Sequence, residues 1–210
     1  MKKFAVIGRP IKHSLSPRIH SEFAKELGID ISYEAIEVAP KDFNPVTKQL
    51  FENGYDGLNV TLPLKELAYS LADEVSQAGR ESGAVNTLWK EKGKIFADST
   101  DGKGLIEDLL NNQISLKDSS LVILGAGGAA RSILPSVLSL QPKRLTLLNR
   151  TLEKSNALVD QFKARGVQIQ ALPMGEIPEG NLSGVINATS AGVIGEDLLL
   201  NQRIFKKADW

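Results

Sequence analysis

A short apolar run that ends in a glycine-rich turn constrains the fold of this sequence more than any other feature. Leu121–Leu124 predicts a buried strand. Small residues in the spacing G-x-G-x-x-A follow this strand and lead into a predicted helix. They are Gly125, Gly127 and Ala130. In such a turn the first glycine permits a tight bend, the second lets a pyrophosphate approach the backbone, and the alanine lets helix and strand pack closely. A turn that serves packing alone is the alternative, but the strand–turn–helix context favours a dinucleotide site.

The residues that follow the next predicted strand, Leu145–Leu148, indicate which dinucleotide the site would bind. An NAD site usually has Asp or Glu about twenty residues after the glycine turn, where the carboxylate binds the ribose 2′-hydroxyl. This sequence has Asn149-Arg150-Thr151 instead, so no carboxylate would repel a 2′-phosphate. The planar guanidinium of Arg150 suits a phosphate, although an ordinary solvent-exposed arginine is the alternative. We therefore expect NADP(H) rather than NAD.

Apolar runs alternate with helical patterns in the N-terminal part of the chain as well. The predicted strands there are Phe4–Ile7, Ile31–Val38 and Gly57–Thr61. Helices between them indicate a parallel sheet with helices on its faces, and a hairpin over residues 84–97 follows. The predicted fold class is α/β, with a parallel-sheet domain over residues 1–101 and an incomplete Rossmann-type domain over residues 102–210. The last residues, from Phe205 to Trp210, read as the approach to a further strand.

The first predicted helix has clear signals at both ends. Ser16 can cap it, Pro17 opens it and Gly28 closes it. Its apolar residues recur every four positions and are predicted to form a buried stripe, which consists of Ile19, Phe23 and Leu27.

Several polar residues lie where open α/β sheets bind ligands. Ser14 and Ser16 would face one way in an extended segment beside a helix N-terminus, which suits a carboxylate, although Ser16 as a simple cap is the alternative. Other residues at or near predicted strand ends are Asn59, Thr61 and Asn86. Each of them could equally be a strand-terminating residue.

Two charged residues are candidates for chemistry. Pro63 predicts a helix start that places Lys65 in the first turn, where the helix dipole disfavours a cation. A long lysine side chain could also extend into solvent. Asp101 precedes Gly102 and a predicted helix, so it is a candidate either for an N-cap or for a functional carboxylate.

Composition excludes several classes of protein. The 25 Lys and Arg residues balance 25 Asp and Glu residues, which is atypical of a nucleic-acid binder. There are no cysteines, no metal-ligand spacing and no apolar run of the ~18 residues that a membrane helix needs. The two histidines, His13 and His20, have no carboxylate in their local pattern and are not expected to be catalytic. We expect a soluble cytoplasmic protein.

Seven short motifs in order resemble the shikimate dehydrogenase family. They are Ser14-Leu15-Ser16-Pro17, Asn59-Val60-Thr61-x-Pro63-x-Lys65, Gly83-Ala84-Val85-Asn86-Thr87, Thr100-Asp101-Gly102, Gly125-Ala126-Gly127-Gly128-Ala129, Asn149-Arg150-Thr151 and Asn187-Ala188-Thr189-Ser190-Ala191-Gly192. The resemblance implies NADP-dependent interconversion of 3-dehydroshikimate and shikimate in aromatic amino-acid biosynthesis. It also implies a further C-terminal region that this sequence does not contain.

The resemblance also implies a role for each matching residue. Lys65 and Asp101 would form the catalytic pair. Substrate contacts would be Ser14, Ser16, Asn59, Thr61 and Asn86. Cofactor contacts would be Gly125, Ala126, Gly127, Gly128, Ala129, Asn149, Arg150, Thr151, Asn187 and Thr189. The alternatives are a quinate/shikimate dehydrogenase that uses NAD, a catalytically impaired fragment and a non-catalytic nucleotide-binding protein. A homodimer formed through the first sheet edge is also compatible with the sequence.

Overall fold

The chain forms two compact units, which are residues Met1–Thr100 and Asp101–Trp210. The computed structural model describes residues 1–163, 166–195 and 201–210. Within these ranges no helix has both the length and the apolar character needed to cross a membrane.

The first unit contains one mixed six-stranded sheet. Its strands are β1 (Lys2–Gly8), β2 (Ile31–Glu37), β3 (Gly57–Val60), β4 (Glu74–Val75), β5 (Thr87–Glu91) and β6 (Lys94–Asp98). Its helices are α1 (Ser16–Leu27), α2 (Phe43–Glu52), α3 (Lys65–Leu71) and α4 (Gln77–Ser82). The strand order is β2-β1-β3-β5-β6-β4. Strand β1 is parallel to β2 and β3, and β5 is antiparallel to both β3 and β6, which confirms the predicted parallel portion and hairpin.

The main apolar core of this unit lies on one face of the sheet. Ile7 of β1 and Leu58 of β3 are buried there with Phe43 of α2 and Leu64 just before α3. Alternation along a strand sends the intervening residues to the opposite face. Helix α1 packs against β2 through this opposite face, where His20 stacks on Tyr33.

The predicted buried stripe of α1 is wrong. The side chains of Ile19, Phe23 and Leu27 are 44%, 54% and 71% exposed, whereas Ala24 is buried. The helix therefore packs through the neighbouring stripe that contains His20 and Ala24. Periodicity established that the apolar residues share one side of the helix, but it does not specify what lies against that side.

Two details at helix starts also differ from prediction. Ser16 is the first residue of α1 rather than its cap, and its backbone N–H donates to the Ser14 hydroxyl at 3.3 Å. Pro63 lies in a turn before α3, which begins at Lys65, so it does not open the helix. The predicted end of α1 is confirmed, because Gly28 adopts a left-handed conformation with φ of 65°.

The second unit contains a parallel four-stranded sheet. Its strands are β7 (Ser120–Leu124), β8 (Arg144–Asn149), β9 (Gln168–Pro173) and β10 (Gly184–Asn187). Its helices are α5 (Asp101–Asn111), α6 (Gly128–Ser139), α7 (Leu152–Phe162) and α8 (Ala191–Ile194). The strand order is β10-β7-β8-β9. Strands β8 and β9 follow one another on one side of β7, and β10 pairs with β7 on the opposite side.

The last residues continue this sheet beyond β10. The backbone N–H groups of Leu182 and Val185 donate to the carbonyls of Lys207 and Trp210, both at 3.0 Å. The Trp210 ring lies so close over Gly184 that an added Cβ there would come within 2.3 Å of it. Residues 207–210 therefore run alongside β10, in agreement with the predicted approach to a further strand.

Candidate functional site

Polar residues of the first unit meet at the carboxyl edge of its parallel strands. Thr61 follows β3, and its N–H donates to the Ile7 carbonyl of β1 at 2.9 Å. Because β5 runs antiparallel, its beginning lies at the same edge, where the Val60 N–H donates to the Asn86 carbonyl at 2.8 Å. The structure thus brings the predicted residues Asn59, Thr61 and Asn86 together.

A tyrosine that sequence reasoning missed joins this edge to helix α1. The Tyr33 hydroxyl donates to Oδ1 of Asn59 at 2.6 Å and also forms a hydrogen bond with the Ser16 side chain. Burial raises the pKa of Tyr33 to about 12, and the hydrogen bond with Ser16 partly opposes this increase. The phenol therefore remains a neutral hydrogen-bond donor across the ordinary pH range. Through Tyr33, Ser16 and the adjacent Ser14 are connected to the polar edge.

Lys65 lies in the first turn of α3, as predicted. It is half-buried, and its carbonyl accepts a hydrogen bond from the Val85 N–H at 3.1 Å. Val85 immediately precedes Asn86, so this bond anchors the start of α3 beside the polar edge. The N-terminal end of a helix carries partial positive charge, which disfavours a cationic residue in the first turn.

The Asn86 side chain is held by Thr100, a contact that sequence reasoning also missed. Nδ2 of Asn86 donates to the Thr100 hydroxyl at 2.9 Å, and Oδ1 accepts from the Thr100 N–H at 3.1 Å. These two bonds fix the amide plane. They also fix the backbone immediately before Asp101, which is half-buried and begins α5 in the second unit.

In the second unit, the glycine-rich turn lies at the centre of the carboxyl edge. The Gly125 N–H donates to the Leu148 carbonyl of β8 at 2.8 Å, and the Ala188 N–H donates to the Leu124 carbonyl at 2.9 Å. The turn is therefore flanked by the end of β8 and the end of β10. The strand order reverses between β7 and β10, and in open α/β sheets ligands bind at such switch points.

The small residues of this turn serve different purposes. Gly125 has φ of 101°, and a Cβ there would come within 2.9 Å of the Ala188 carbonyl oxygen. Ala130 is fully buried in the core between helix and sheet. Gly127 has an ordinary extended conformation, and a Cβ there would meet nothing within 4 Å. Packing explains Gly125 and Ala130, whereas the open space at Gly127 fits a group that approaches the backbone from outside the chain.

The residues on either side of the turn also fit a phosphorylated dinucleotide. Asn149 donates to the Thr151 carbonyl at 2.7 Å, which shapes the loop that presents the exposed side chain of Arg150. On the other side, Oδ1 of Asn187 accepts from the Thr189 N–H at 3.0 Å and from the Thr189 hydroxyl at 2.8 Å. The loop at 149–151 contains no carboxylate.

The two histidines lie in different surroundings. His13 is exposed, and His20 lies with its ring centroid 4.2 Å from that of Tyr33 and its plane within 7°. Burial lowers the pKa of His20 below 6.5. Among residues 1–163, 166–195 and 201–210, no group of three or more His, Asp or Glu side chains could hold a metal ion.

Two family models match the sequence. A shikimate dehydrogenase substrate-binding domain matches residues 6–88, and a shikimate / quinate 5-dehydrogenase model matches residues 107–198. The shikimate dehydrogenase (NADP(+)) of Acinetobacter baumannii strain ACICU is 40% identical over 211 residues, which cover 99% of this chain and 80% of that relative.

Solved structures agree with these matches. Shikimate 5-dehydrogenase from Thermus thermophilus in complex with shikimate has a TM-score of 0.83 at 33% identity, over 97% of this chain and 74% of that one. The same enzyme in complex with NADP(H) and shikimate has a TM-score of 0.79 at 34% identity, over 91% and 70% of the two chains.

Proposed function

This chain belongs to the shikimate dehydrogenase family, and on that premise we propose that it catalyses the reversible, NADP-dependent reduction of 3-dehydroshikimate to shikimate. Residues 1–101 would bind the substrate and residues 102–210 would bind NADP(H). The observation that carries the proposal is the half-buried position of Lys65 in the first turn of α3, beside the polar edge formed by Asn59, Thr61 and Asn86.

The chemistry explains why an ammonium group occupies this position. NADPH, when bound, supplies a hydride to the substrate ketone. Negative charge then develops on the carbonyl oxygen, which needs a proton donor within hydrogen-bond reach. Lys65 would donate that proton and take it back in the reverse direction. Asp101 would be the second member of the catalytic pair.

The polar residues of the first unit match the functional groups of shikimate. The Ser14 and Ser16 hydroxyls at the start of α1 would bind the carboxylate, where the helix N-terminus also favours an anion. The contacts proposed for the ring oxygens are Asn59, Thr61 and Asn86. Amide and hydroxyl groups suit this task, because each can donate a hydrogen bond to a ligand oxygen.

The second unit would hold the cofactor at its strand switch point. The pyrophosphate would lie over the turn formed by Gly125, Ala126, Gly127, Gly128 and Ala129, at the N-terminus of α6. The loop Asn149-Arg150-Thr151 would bind the adenosine 2′-phosphate. Asn187 and Thr189, after β10, would contact the nicotinamide side. Arg150 would then determine the preference for NADP(H), because a guanidinium pairs with a phosphate in a bidentate manner.

Replacement of Lys65 tests the proposal. Lys65→Ala should lower kcat for shikimate oxidation by about two to four orders of magnitude, the usual contribution of a general acid–base group, with a smaller change in KM. Lys48→Ala is the matched control, because Lys48 is an exposed lysine on α2 of the same unit. Assays with shikimate and quinate, each with NADP and NAD, identify the substrate and the cofactor. Turnover of Lys65→Ala within twofold of the unmodified chain would refute the proposed proton transfer.

Two further parts of the proposal concern the setting of the enzyme. We place the reaction in the cytoplasm, where a biosynthetic reductase has access to NADPH.

A homodimer could form through β2, which is an edge strand of seven residues in the first sheet. Sedimentation of the chain across a concentration series tests the dimer.

A further inference from the structure

Tyr33 occupies an unusual position in the first sheet. It lies on β2, opposite Phe4 of β1, whereas Asn59 lies on β3, opposite Val6 of β1. Strands β2 and β3 are separated by β1, which makes their separation about 9–10 Å. The Tyr33 side chain therefore extends across β1 to bring its hydroxyl within 2.6 Å of the Asn59 amide oxygen.

The aromatic ring of Tyr33 is held from the helix side. The His20 ring stacks on it almost in parallel, with centroids 4.2 Å apart, and Phe23 meets the edge of His20 with centroids 6.1 Å apart. Aromatic pairs of this kind restrict the ring beyond simple burial. The hydroxyl is thus presented from a restrained ring rather than from a mobile surface side chain.

The hydrogen bonds through Tyr33 have a direction. The phenol donates a hydrogen bond to Oδ1 of Asn59, and in its bond with Ser16 the Ser16 hydroxyl is the donor. The Asn59 Nδ2 group then faces β5, where its contacts with the Asn86 carbonyl and the Thr87 hydroxyl are long, at 3.4 and 3.5 Å. Such long contacts are weak. The amide therefore keeps donor capacity for a ligand oxygen, and its acceptor side is already occupied.

We infer that Tyr33 is a positioning residue for the shikimate site, because its hydroxyl sets the orientation of the Asn59 amide. The inference rests on the proposed function, which makes Asn59 a substrate contact. With the amide oxygen held by the phenol, the Nδ2 group is the side of the amide that remains for a ligand oxygen. The phenol fixes this arrangement before the ligand arrives, and such preorganisation raises affinity by reducing the ordering cost of binding.

The test compares two tyrosine variants that lose the same atom. Tyr33→Phe removes the bridging hydroxyl and keeps the ring that stacks on His20. Tyr55→Phe is the matched control: its hydroxyl donates to Glu34 elsewhere in the same unit, and neither residue has a role in the proposed site. Both variants are made in the full chain, and their folding is checked by thermal unfolding.

Tyr33→Phe should raise the Kd and KM for shikimate about three- to tenfold, in line with the loss of one or two hydrogen bonds, and change kcat less than twofold. The Kd for NADPH should change less than twofold. In NMR spectra the side-chain amide signals of Asn59 should shift in Tyr33→Phe. Tyr55→Phe should leave all of these quantities within twofold.

Separate outcomes refute the inference and the proposed function. If the unmodified chain turns over shikimate and Tyr33→Phe binds it with unchanged affinity, the positioning role is wrong and the enzymatic proposal stands. If the unmodified chain has no shikimate activity, the proposed function is wrong, and unshifted Asn59 amide signals in Tyr33→Phe would then overturn the positioning role as well.

Discussion

The two glycines of the turn after β7 allow a sharp test of the cofactor site, because the structure predicts opposite consequences for the same added methyl group. At Gly127 the backbone is extended, with φ of −90° and ψ of −168°, and a Cβ would meet nothing within 4 Å. At Gly125 the backbone has φ of 101°, and a Cβ would lie 2.9 Å from the Ala188 carbonyl oxygen. The first substitution should affect a ligand, and the second should affect the fold.

The expected free energies of unfolding follow from these geometries. Gly127→Ala loses about 0.5–1 kcal/mol because alanine is a poor N-cap residue, and it gains about 0.4–1 kcal/mol because alanine restricts the unfolded chain. The two terms nearly cancel. Gly125→Ala combines a strained backbone, which costs about 1–3 kcal/mol, with overpacking of about 1–3 kcal/mol. It should therefore be destabilised by about 2–6 kcal/mol.

For NADPH binding, Gly127→Ala should have the direct effect. In Gly127→Ala the methyl group would occupy the space through which the pyrophosphate approaches the backbone. If the cost resembles overpacking of a core, about 1–3 kcal/mol, the Kd for NADPH should rise about 5- to 150-fold. Calorimetric titration measures the Kd, and urea titration measures stability. An unchanged Kd in a stable Gly127→Ala protein would refute our placement of the pyrophosphate, and destabilisation equal to that of Gly125→Ala would show that Gly127 is a packing residue.

Two other perturbations test the charge arguments. Arg150→Ala should raise the Kd for NADPH about 10- to 100-fold, through loss of charge-assisted hydrogen bonds, and leave the Kd for NADH within twofold; equal losses for both would remove Arg150 from the 2′-phosphate site. Burial lowers the pKa of His20, so the folded chain binds fewer protons than the unfolded chain just below pH 6.5. Stability should therefore fall as pH decreases from 6.5 toward the folded-state pKa. His20→Phe keeps an aromatic ring beside Tyr33 and should show a smaller decrease in urea titrations at pH 7.5 and 5.5; equal decreases would assign the effect to other groups.

The parts of the structure that could be predicted depend on signals within a few residues of one another. The glycine turn, the strand before it and the helix after it are encoded in ten consecutive positions, and Gly28 marks the end of α1 by its left-handed conformation. The position of Lys65 in a first helical turn was also predictable, although the helix begins two residues after Pro63 rather than at it. Local backbone preferences are sufficient for features of this kind.

The parts that could not be predicted depend on packing between distant segments. Tyr33 and Asn59 are 26 positions apart, and no spacing rule connects residues on strands that are separated by a third strand. The exposure of the apolar stripe on α1 was unpredictable for the same reason. Ile19 and Phe23 have the same spacing in the sequence whether or not another segment packs against them. Strand β4 has two residues, too few to show alternation.

Helix α4 is an instructive intermediate case. The Ser76 hydroxyl accepts from the Gly79 N–H at 3.1 Å, and Gly83 ends the helix with φ of 67°. Both are ordinary capping signals. Ser76 and Gly83 are seven positions apart and enclose a helix of six residues, one of which is a glycine. Such a short segment does not show the apolar periodicity from which a helix is predicted.

The bonds that hold the glycine turn of the second unit have a dynamic consequence. Gly125 is tied to the end of β8, and Leu124 is tied to the residue after β10, so three strand ends share one small hydrogen-bonded junction. A molecule that immobilises this junction would slow the opening of all three ends together. Protection of their amides from exchange with deuterated water should then increase as a single cooperative group, even at strands that the molecule does not touch.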